Sequence, residues 1–389
     1  MSKATEKYLS RHAEPECKGV RHNLLADALT KNFKNVLVIP AYGETVSLFQ
    51  LIENIFSSSK ETLVILIVNA RADSPSWVHE ENRKIIRFLK ENLPPSLLLI
   101  DRASPNHFLP AHEGVGLARK IGCDIALTLH QEKKVISPWI HCTDADVSLP
   151  SDYFERSEKV TDEKISALLY PFQHECHEDA SLTEATLLYE CYLRYYVLGL
   201  QEAGSPYAYH SLGSTLAIRA SAYGAVGGFP KKMAGEDFYL LNKLAKVGKI
   251  LCLAGEPLLI EGRISKRTPF GTGMALTKIL ESQKNEKPFL IYNPKIFDYL
   301  KLWLQTLKQA AGPSQTELRH LHTWFDALQT LKLVHRLRDK NFPSLPLKEA
   351  FAQADFLKLP SLALLEDLPG LRNFLIKKEI TTYTNHDHD

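Results

Sequence analysis

The chain has 389 residues, enough for one large domain with an appendage or for two domains. Its 47 Lys and Arg against 45 Asp and Glu leave a net charge of +2, which argues against a nucleic-acid binder working mainly through counterion release. The longest aliphatic run, Leu63–Val68, is far too short to span a bilayer, and the six cysteines include no Cys-x-x-Cys pair, which excludes a zinc ribbon. Scattered thiols of this kind read as reduced and point to the cytoplasm.

Residues 1–33 are polar and irregular apart from a helical stretch near Leu24–Leu29, and read as a lead-in without a secretory signal. Apolar runs follow at Val36–Ile39, Leu63–Val68, Leu97–Ile100 and Trp139–Cys142. They do not alternate, which is the pattern of strands buried on both faces of a parallel sheet. Helix-length segments separate them: Glu44–Phe56, a stretch opened by Ser74-Pro75, and Gly114–Leu129. Strand and helix alternating in this way predict a doubly wound α/β layer, with ligands beyond the carboxyl ends of the strands. Residues 165–172 read as a further strand, and Ser181-Leu-Thr-Glu184 as a capping box for a helix over about 182–202. From 286 onward the chain turns helical. Ser314-Gln-Thr-Glu317 is a second capping box, and Leu318, Leu321, Trp324, Phe325, Leu328, Leu331 and Val334 share a face that reads as core packing. Residues 381–389 read as a disordered tail.

Several chemistries are excluded. The first strand leads into Pro40-Ala-Tyr-Gly-Glu44, and Gly114 and Gly116 are followed by Arg119, so there is no Gly-x-Gly-x-x-Gly fingerprint. P-loop, Gly-x-Ser-x-Gly and His-Glu-x-x-His patterns are absent. The strongest positive signal is Thr143-Asp144-Ala145-Asp146 at the end of the fourth strand. In an extended strand, residues two apart face the same side with Cα atoms about 6.6 Å apart. Two such carboxylates favour a shared divalent cation, and Mg²⁺ or Mn²⁺ suits hard oxygen ligands and substrate phosphates. Gly235-Glu236-Asp237 precedes a helical run, where the helix dipole alone favours acids. Gly213-Ser-Thr-Leu-Ala-Ile-Arg219 and Gly227-Gly-Phe-Pro230 offer small residues that let a backbone approach a ligand, or in the second case a plain turn.

Taken in order, Val36-Leu-Val-Ile-Pro-Ala-Tyr-Gly-Glu44, Thr143-Asp-Ala-Asp146, Gly213-Ser-Thr-Leu-Ala-Ile-Arg219, Gly227-Gly-Phe229 and Glu236-Asp237 resemble the signature segments of family-2 glycosyltransferases. The resemblance implies a GT-A fold over residues 34–285, Rossmann-like with a mostly parallel sheet flanked by helices. A helical C-terminal region over 286–380 is left outside it. It implies a soluble, non-processive enzyme that moves a sugar from a nucleotide-diphosphate sugar to a hydroxyl, with Mn²⁺ or Mg²⁺. Asp146 then holds the metal, with Asp144 assisting or contacting the ribose. Asp237 is the base and Glu236 its neighbour, which predicts inversion at the anomeric carbon, with retention, which some GT-A enzymes show, the alternative. Donor contacts fall on Pro40, Ala41, Tyr42, Glu44, Asn69, Arg119, Lys120, Asp144, Ala145, Gly213 and Ser214. Val68-Asn-Ala-Arg71 stands where the family often has Asp-Asp-Gly-Ser, so the base, uridine or guanosine, stays open.

Arg263, Lys266 and Arg267 precede glycines and a proline, the composition of a basic loop closing on phosphates or of a solvated surface loop. His174-Glu-Cys-His-Glu-Asp179 matches no zinc pattern and reads as a polar connector or acceptor-side loop. Tyr189, Tyr192, Tyr195 and Tyr196 read as packing or as an acceptor wall. The C-terminal helices either shape acceptor choice or mediate a homodimer. The acceptor itself is not legible. A sugar-phosphate nucleotidyltransferase and a non-catalytic nucleotide-sugar-binding protein are the alternatives on the same fold.

Overall fold

The computed structural model describes residues 3–17, 32–44, 46–176, 178–264, 271–311 and 325–386. The chain forms two compact units, Met1–Phe172 with Ser211–Ile260, and Gln173–His210 with Glu261–Asp389. The strands are β1 (Asn35–Ala41), β2 (Thr62–Asn69), β3 (Leu97–Arg102), β4 (Trp139–Cys142), β5 (Val147–Ser148), β6 (Ile165–Leu169), β7 (Phe172–His174), β8 (Leu216–Arg219), β9 (Lys249–Cys252) and β10 (Leu258–Ile260).

The first unit carries a seven-stranded sheet in the order β3-β2-β1-β4-β8-β6-β9. Every residue of β1 and β2 is buried, as their unbroken apolar runs require. All neighbours run parallel except β8, which is antiparallel to both β4 and β6. The helices Val46–Ser58, Ser76–Glu91 and Val115–Gln131 connect the first four strands. This mostly parallel, helix-flanked sheet, together with a helical C-terminal region, is the architecture expected. From β1 the chain winds outward to β2 and β3, then returns to β4 on the other side. That reversal opens a crevice beyond the carboxyl ends of β1 and β4, where open α/β sheets take ligands.

The helix Val115–Gln131 is buried from Gly116 through Leu129, including Arg119, Lys120, Asp124 and Thr128. Gly116 permits this: a Cβ there would lie 2.6 Å from the carbonyl oxygens of Pro230 and Lys232. Gly227 and Gly228, at φ 79° and 67°, make the turn after the helix Ala220–Ala225, so Gly-Gly-Phe-Pro is a turn. Ser74 does not cap the helix Ser76–Glu91. Its hydroxyl accepts from the Arg71 N–H instead, and Pro75 precedes the helix.

The second unit is helical, built on Ala180–Glu202, Thr272–Lys284, Lys295–Ala311, Ala327–Lys340 and Leu368–His386. The long helix Ala180–Glu202 belongs here. Its Tyr195, Leu198 and Leu200 pack into one core with Phe297, Leu300, Phe351, Leu371 and Leu375. The tyrosines are packing residues: Tyr192 contacts Phe289, Tyr195 stacks on Phe351, and Tyr196 lies against Tyr292 and Phe297. The cap of this helix is Asp179, which accepts from the N–H groups of Ser181 and Leu182, ahead of the expected capping box. The helix Ala327–Lys340 is capped by Asp326. Ser314–Trp324, with the second expected box, lies outside the described residues, as does Leu24–Leu29. The expected tail is helical as far as His386, with the Thr381 and Thr382 hydroxyls bonded back to the carbonyls of Lys377 and Lys378. No helix among the described residues is long and apolar enough to cross a membrane.

Candidate active site

The rim of the first unit brings three segments together, two of which carry acids. Because β8 runs antiparallel to β4, with Leu216 opposite Cys142, the start of β8 meets the end of β4. The turn Gly213–Thr215 therefore arrives beside Thr143-Asp144-Ala145-Asp146. Strand β4 ends at Cys142, and Asp144 and Asp146 lie in the turn leading to β5, not in an extended strand. The strand-period argument for their spacing thus does not apply. Both are half-buried, while Ala145 is buried. The helix Glu236–Leu244 supplies its first two residues as the third segment.

Arg119 joins these segments. Its Nη2 donates to Asp144 Oδ1 and its Nη1 to Glu236 Oε1. The guanidinium side chain is 5% exposed and that of Glu236 2%, whereas that of Asp144 is 39% exposed. Gly213 makes room for it: a Cβ there would sit 2.4 Å from Nη1. Burial opposes the charge of Arg119, but Asp144, Glu236 and Asp237 outweigh it, so the guanidinium holds its proton more firmly than usual. Glu236 is pushed up to about 7, by burial first, with Arg119 pulling it down and Asp237 and Asp144 adding to the rise. Burial also raises Asp237, against the pull of Arg119 and of two backbone donors. Those donors fix its carboxylate: the Gly213 N–H reaches Oδ2 at 2.9 Å and its neighbour's N–H, on Phe238, reaches Oδ1 at 2.7 Å.

Other expected contacts are placed differently. Lys120 is neither a phosphate contact nor exposed. Successive helical residues point about 100° apart, so beside Arg119 it faces the far side. There its Nζ binds Asp124 at 2.7 Å and the His12 carbonyl at 3.0 Å. Asp124 also accepts from Tyr8, Tyr223 and the Glu14 N–H at 2.6, 2.8 and 2.9 Å. Asn69 is buried, and its amide ties β2 to the Ala41 carbonyl at 2.9 Å. Pro40 and Ala41 are buried at the end of β1. Tyr42 is half-buried, and Glu44 and Ser214 are buried, on the loops bordering the crevice. Arg263 belongs to the second unit, where it faces Glu261 at 3.8 Å. Arg267 lies outside the described residues.

One contributor escapes a sequence reading. Asn82 links the loop after β1 to the end of β2, accepting from the Gly43 N–H and donating to the Asn69 carbonyl, both at 2.9 Å. Its signal is a lone amide on the face of Val78, Ile85, Ile86 and Leu89. In the second unit, His174 and Arg194 both bind Glu190, and Arg194 and His210 both bind Glu379. His174 is thus a buried connector, and among the described residues no group of three or more His, Cys, Asp or Glu could hold a metal.

Asp144 and Asp146 offer two hard carboxylates within one turn. The adjoining Thr143 hydroxyl is buried without a hydrogen-bond partner among the described residues. Two protein carboxylates suit Mg²⁺ or Mn²⁺, which fill their remaining positions with water and phosphate. The residues fit such an ion.

No family model matches the chain, and neither does any curated protein. Among solved structures it is similar to a mannosyltransferase from Pyrobaculum calidifontis in complex with GDP-Man and Mn²⁺, at 15% identity over 97% of this chain and 94% of that one, TM-score 0.41. It is also similar to glucosyl-3-phosphoglycerate synthase from Mycobacterium tuberculosis in complex with Mn²⁺, UDP and glucosyl-3-phosphoglycerate, at 11% identity over 68% of this chain and 86% of that one, TM-score 0.36. Likenesses this distant leave the function to the chain's own residues.

Proposed function

We propose that the chain is a divalent-metal-dependent glycosyltransferase that moves a sugar from a nucleoside-diphosphate sugar to an acceptor hydroxyl. The observation that carries the reading is the meeting of Asp144 with Glu236 and Asp237 around Arg119 at the carboxyl rim of the sheet. The segments that resemble the family-2 signatures carry those acids, at the end of β4 beside the sheet's topological switch and at the start of the helix Glu236–Leu244.

Asp144 and Asp146 would hold Mn²⁺ or Mg²⁺, which when bound acts as a Lewis acid on the departing diphosphate. Asp237 takes the proton of the attacking hydroxyl. Each of its oxygens keeps a lone pair beyond its backbone donor, so the carboxylate is fixed without being used up. Its raised affinity for a proton suits a general base. Glu236 shares the charge of Arg119 and keeps that cation against the base. Attack opposite the leaving group gives inversion.

The test is release of nucleoside diphosphate from UDP- and GDP-sugars by purified protein with Mn²⁺, and its loss in Asp146→Ala. Failure of every nucleotide sugar to be hydrolysed, and of every nucleoside diphosphate to raise the melting temperature with Mn²⁺ present, would overturn the reading.

A further inference from the structure

The two ends of the Arg119 guanidinium sit in different surroundings. The Glu236 end is sealed, with both side chains 5% exposed or less. The Asp144 end opens to solvent through a carboxylate that is 39% exposed. Opposite charges attract more strongly where water is excluded, so the Asp144 contact is the one that yields. Arg119 Nε is buried with no hydrogen-bond partner among the described residues, so charge rather than a full set of donors holds this side chain in place.

Resting on the glycosyltransferase reading, we propose that Arg119 is a resident counter-cation at Asp144 that makes divalent-cation binding conditional on a nucleoside diphosphate. A bare Mn²⁺ approaching Asp144 meets a fixed positive charge already on that carboxylate. A Mn²⁺ that shares the site with a diphosphate brings negative charge with it, which offsets the repulsion. Arg119 then gives up Asp144 and keeps Glu236. Cation and nucleotide thereby bind with positive coupling, and the coupling runs through a side chain that touches neither. Arg119 is on this account a positioning residue.

The test is free-Mn²⁺ quantification by electron paramagnetic resonance, with the protein alone and with UDP or GDP. For the wild type, Mn²⁺ binds weakly alone and much more tightly with one nucleotide. Arg119→Gln is expected to bind Mn²⁺ alone about tenfold more tightly, and so to lose about tenfold in coupling. Asp144→Asn in that background removes the gain. Arg119→Lys, which keeps the charge but reaches one carboxylate, falls between. Gly213→Ala, whose new Cβ crowds Nη1, moves affinity the same way as Arg119→Gln, and it serves if that variant does not fold. Equal Mn²⁺ affinities in wild type and both variants, with nucleotide coupling intact, overturn the role of Arg119 and leave the transferase reading standing. No saturable Mn²⁺ binding with either nucleotide overturns both.

Discussion

The Gly213 N–H donates to Asp237 Oδ2 at 2.9 Å while the same glycine leaves room for the Arg119 guanidinium. One residue without a side chain thus sets both the aim of the proposed base and the place of its counter-charge. Close approach, rather than turn-forming, is the physical reason for glycine here.

Asp237→Asn keeps the shape of the side chain and removes the proton acceptor. Transfer should fall roughly a hundred- to ten-thousand-fold, with nucleoside-diphosphate affinity nearly unchanged. Calorimetric binding beside turnover measures both. A parallel collapse of binding would place Asp237 in the donor site instead.

Glu236 gives the fold a pH dependence. Its folded value of about 7 lies above its ordinary 4.5, with burial the largest cause. Between those values the native state holds a proton that the unfolded chain has released. Stability should therefore be greatest at the acid end of this window and decline as pH rises through it, by up to about 3 kcal/mol. Denaturant melts from pH 5 to 8 should show this slope in wild type and a flatter one in Glu236→Gln.

In the second unit the sign is opposite. Burial works to raise Glu190, but the hydrogen bonds from His174 and the charge of Arg194 hold it down at about 2. The stability it contributes is complete above its ordinary 4.5 and is lost as pH falls toward 2. Arg194→Met leaves Glu190 and Glu379 buried without their shared cation, at a cost of about 3–5 kcal/mol. A loss below about 1 kcal/mol in chemical denaturation would contradict it.

Asp124 fastens the amino-terminal helix Lys3–Arg11 through Tyr8 and the Glu14 N–H. Asp124→Ala strands Lys120 without this partner and removes the acceptor of the Tyr8 hydroxyl and of the Glu14 N–H. Limited proteolysis should then cut within the first seventeen residues well before the sheet is attacked, unlike in wild type. Equal cutting rates in the two proteins would show that other contacts secure the helix.

The sheet was legible because its strands are buried on both faces, so Val36–Ile39 and Leu63–Val68 are unbroken apolar runs. The acids were legible as Asp144-Ala-Asp146 and Glu236-Asp237 because each group is short and local. The bridging role of Arg119, a residue expected to touch the donor, was not: its partners lie 25 and 117 residues away, and nothing in Gly114-Val-Gly-Leu-Ala-Arg119 tells which side of a buried helix faces them. Asn69 and Lys120 stood where ligand contacts were expected, yet burial commits both to internal partners. The partners of one long helix were hidden for a related reason. The helix Ala180–Glu202 carries Leu and Tyr nearly all round, which shows that it is buried but not against what.

One antiparallel strand has a last consequence. Leu216 faces Cys142 across β4 and Leu169 across β6, so β8 is gripped from both sides. A slip of two residues would keep every side chain on its proper face of the sheet. It would also carry Gly213 about 7 Å along the strand direction, away from Arg119 and Asp237. The alignment of β8 therefore works as a ruler for the rim that carries the proposed site, and an insertion that the hydrophobic core tolerates would still abolish the proposed transfer.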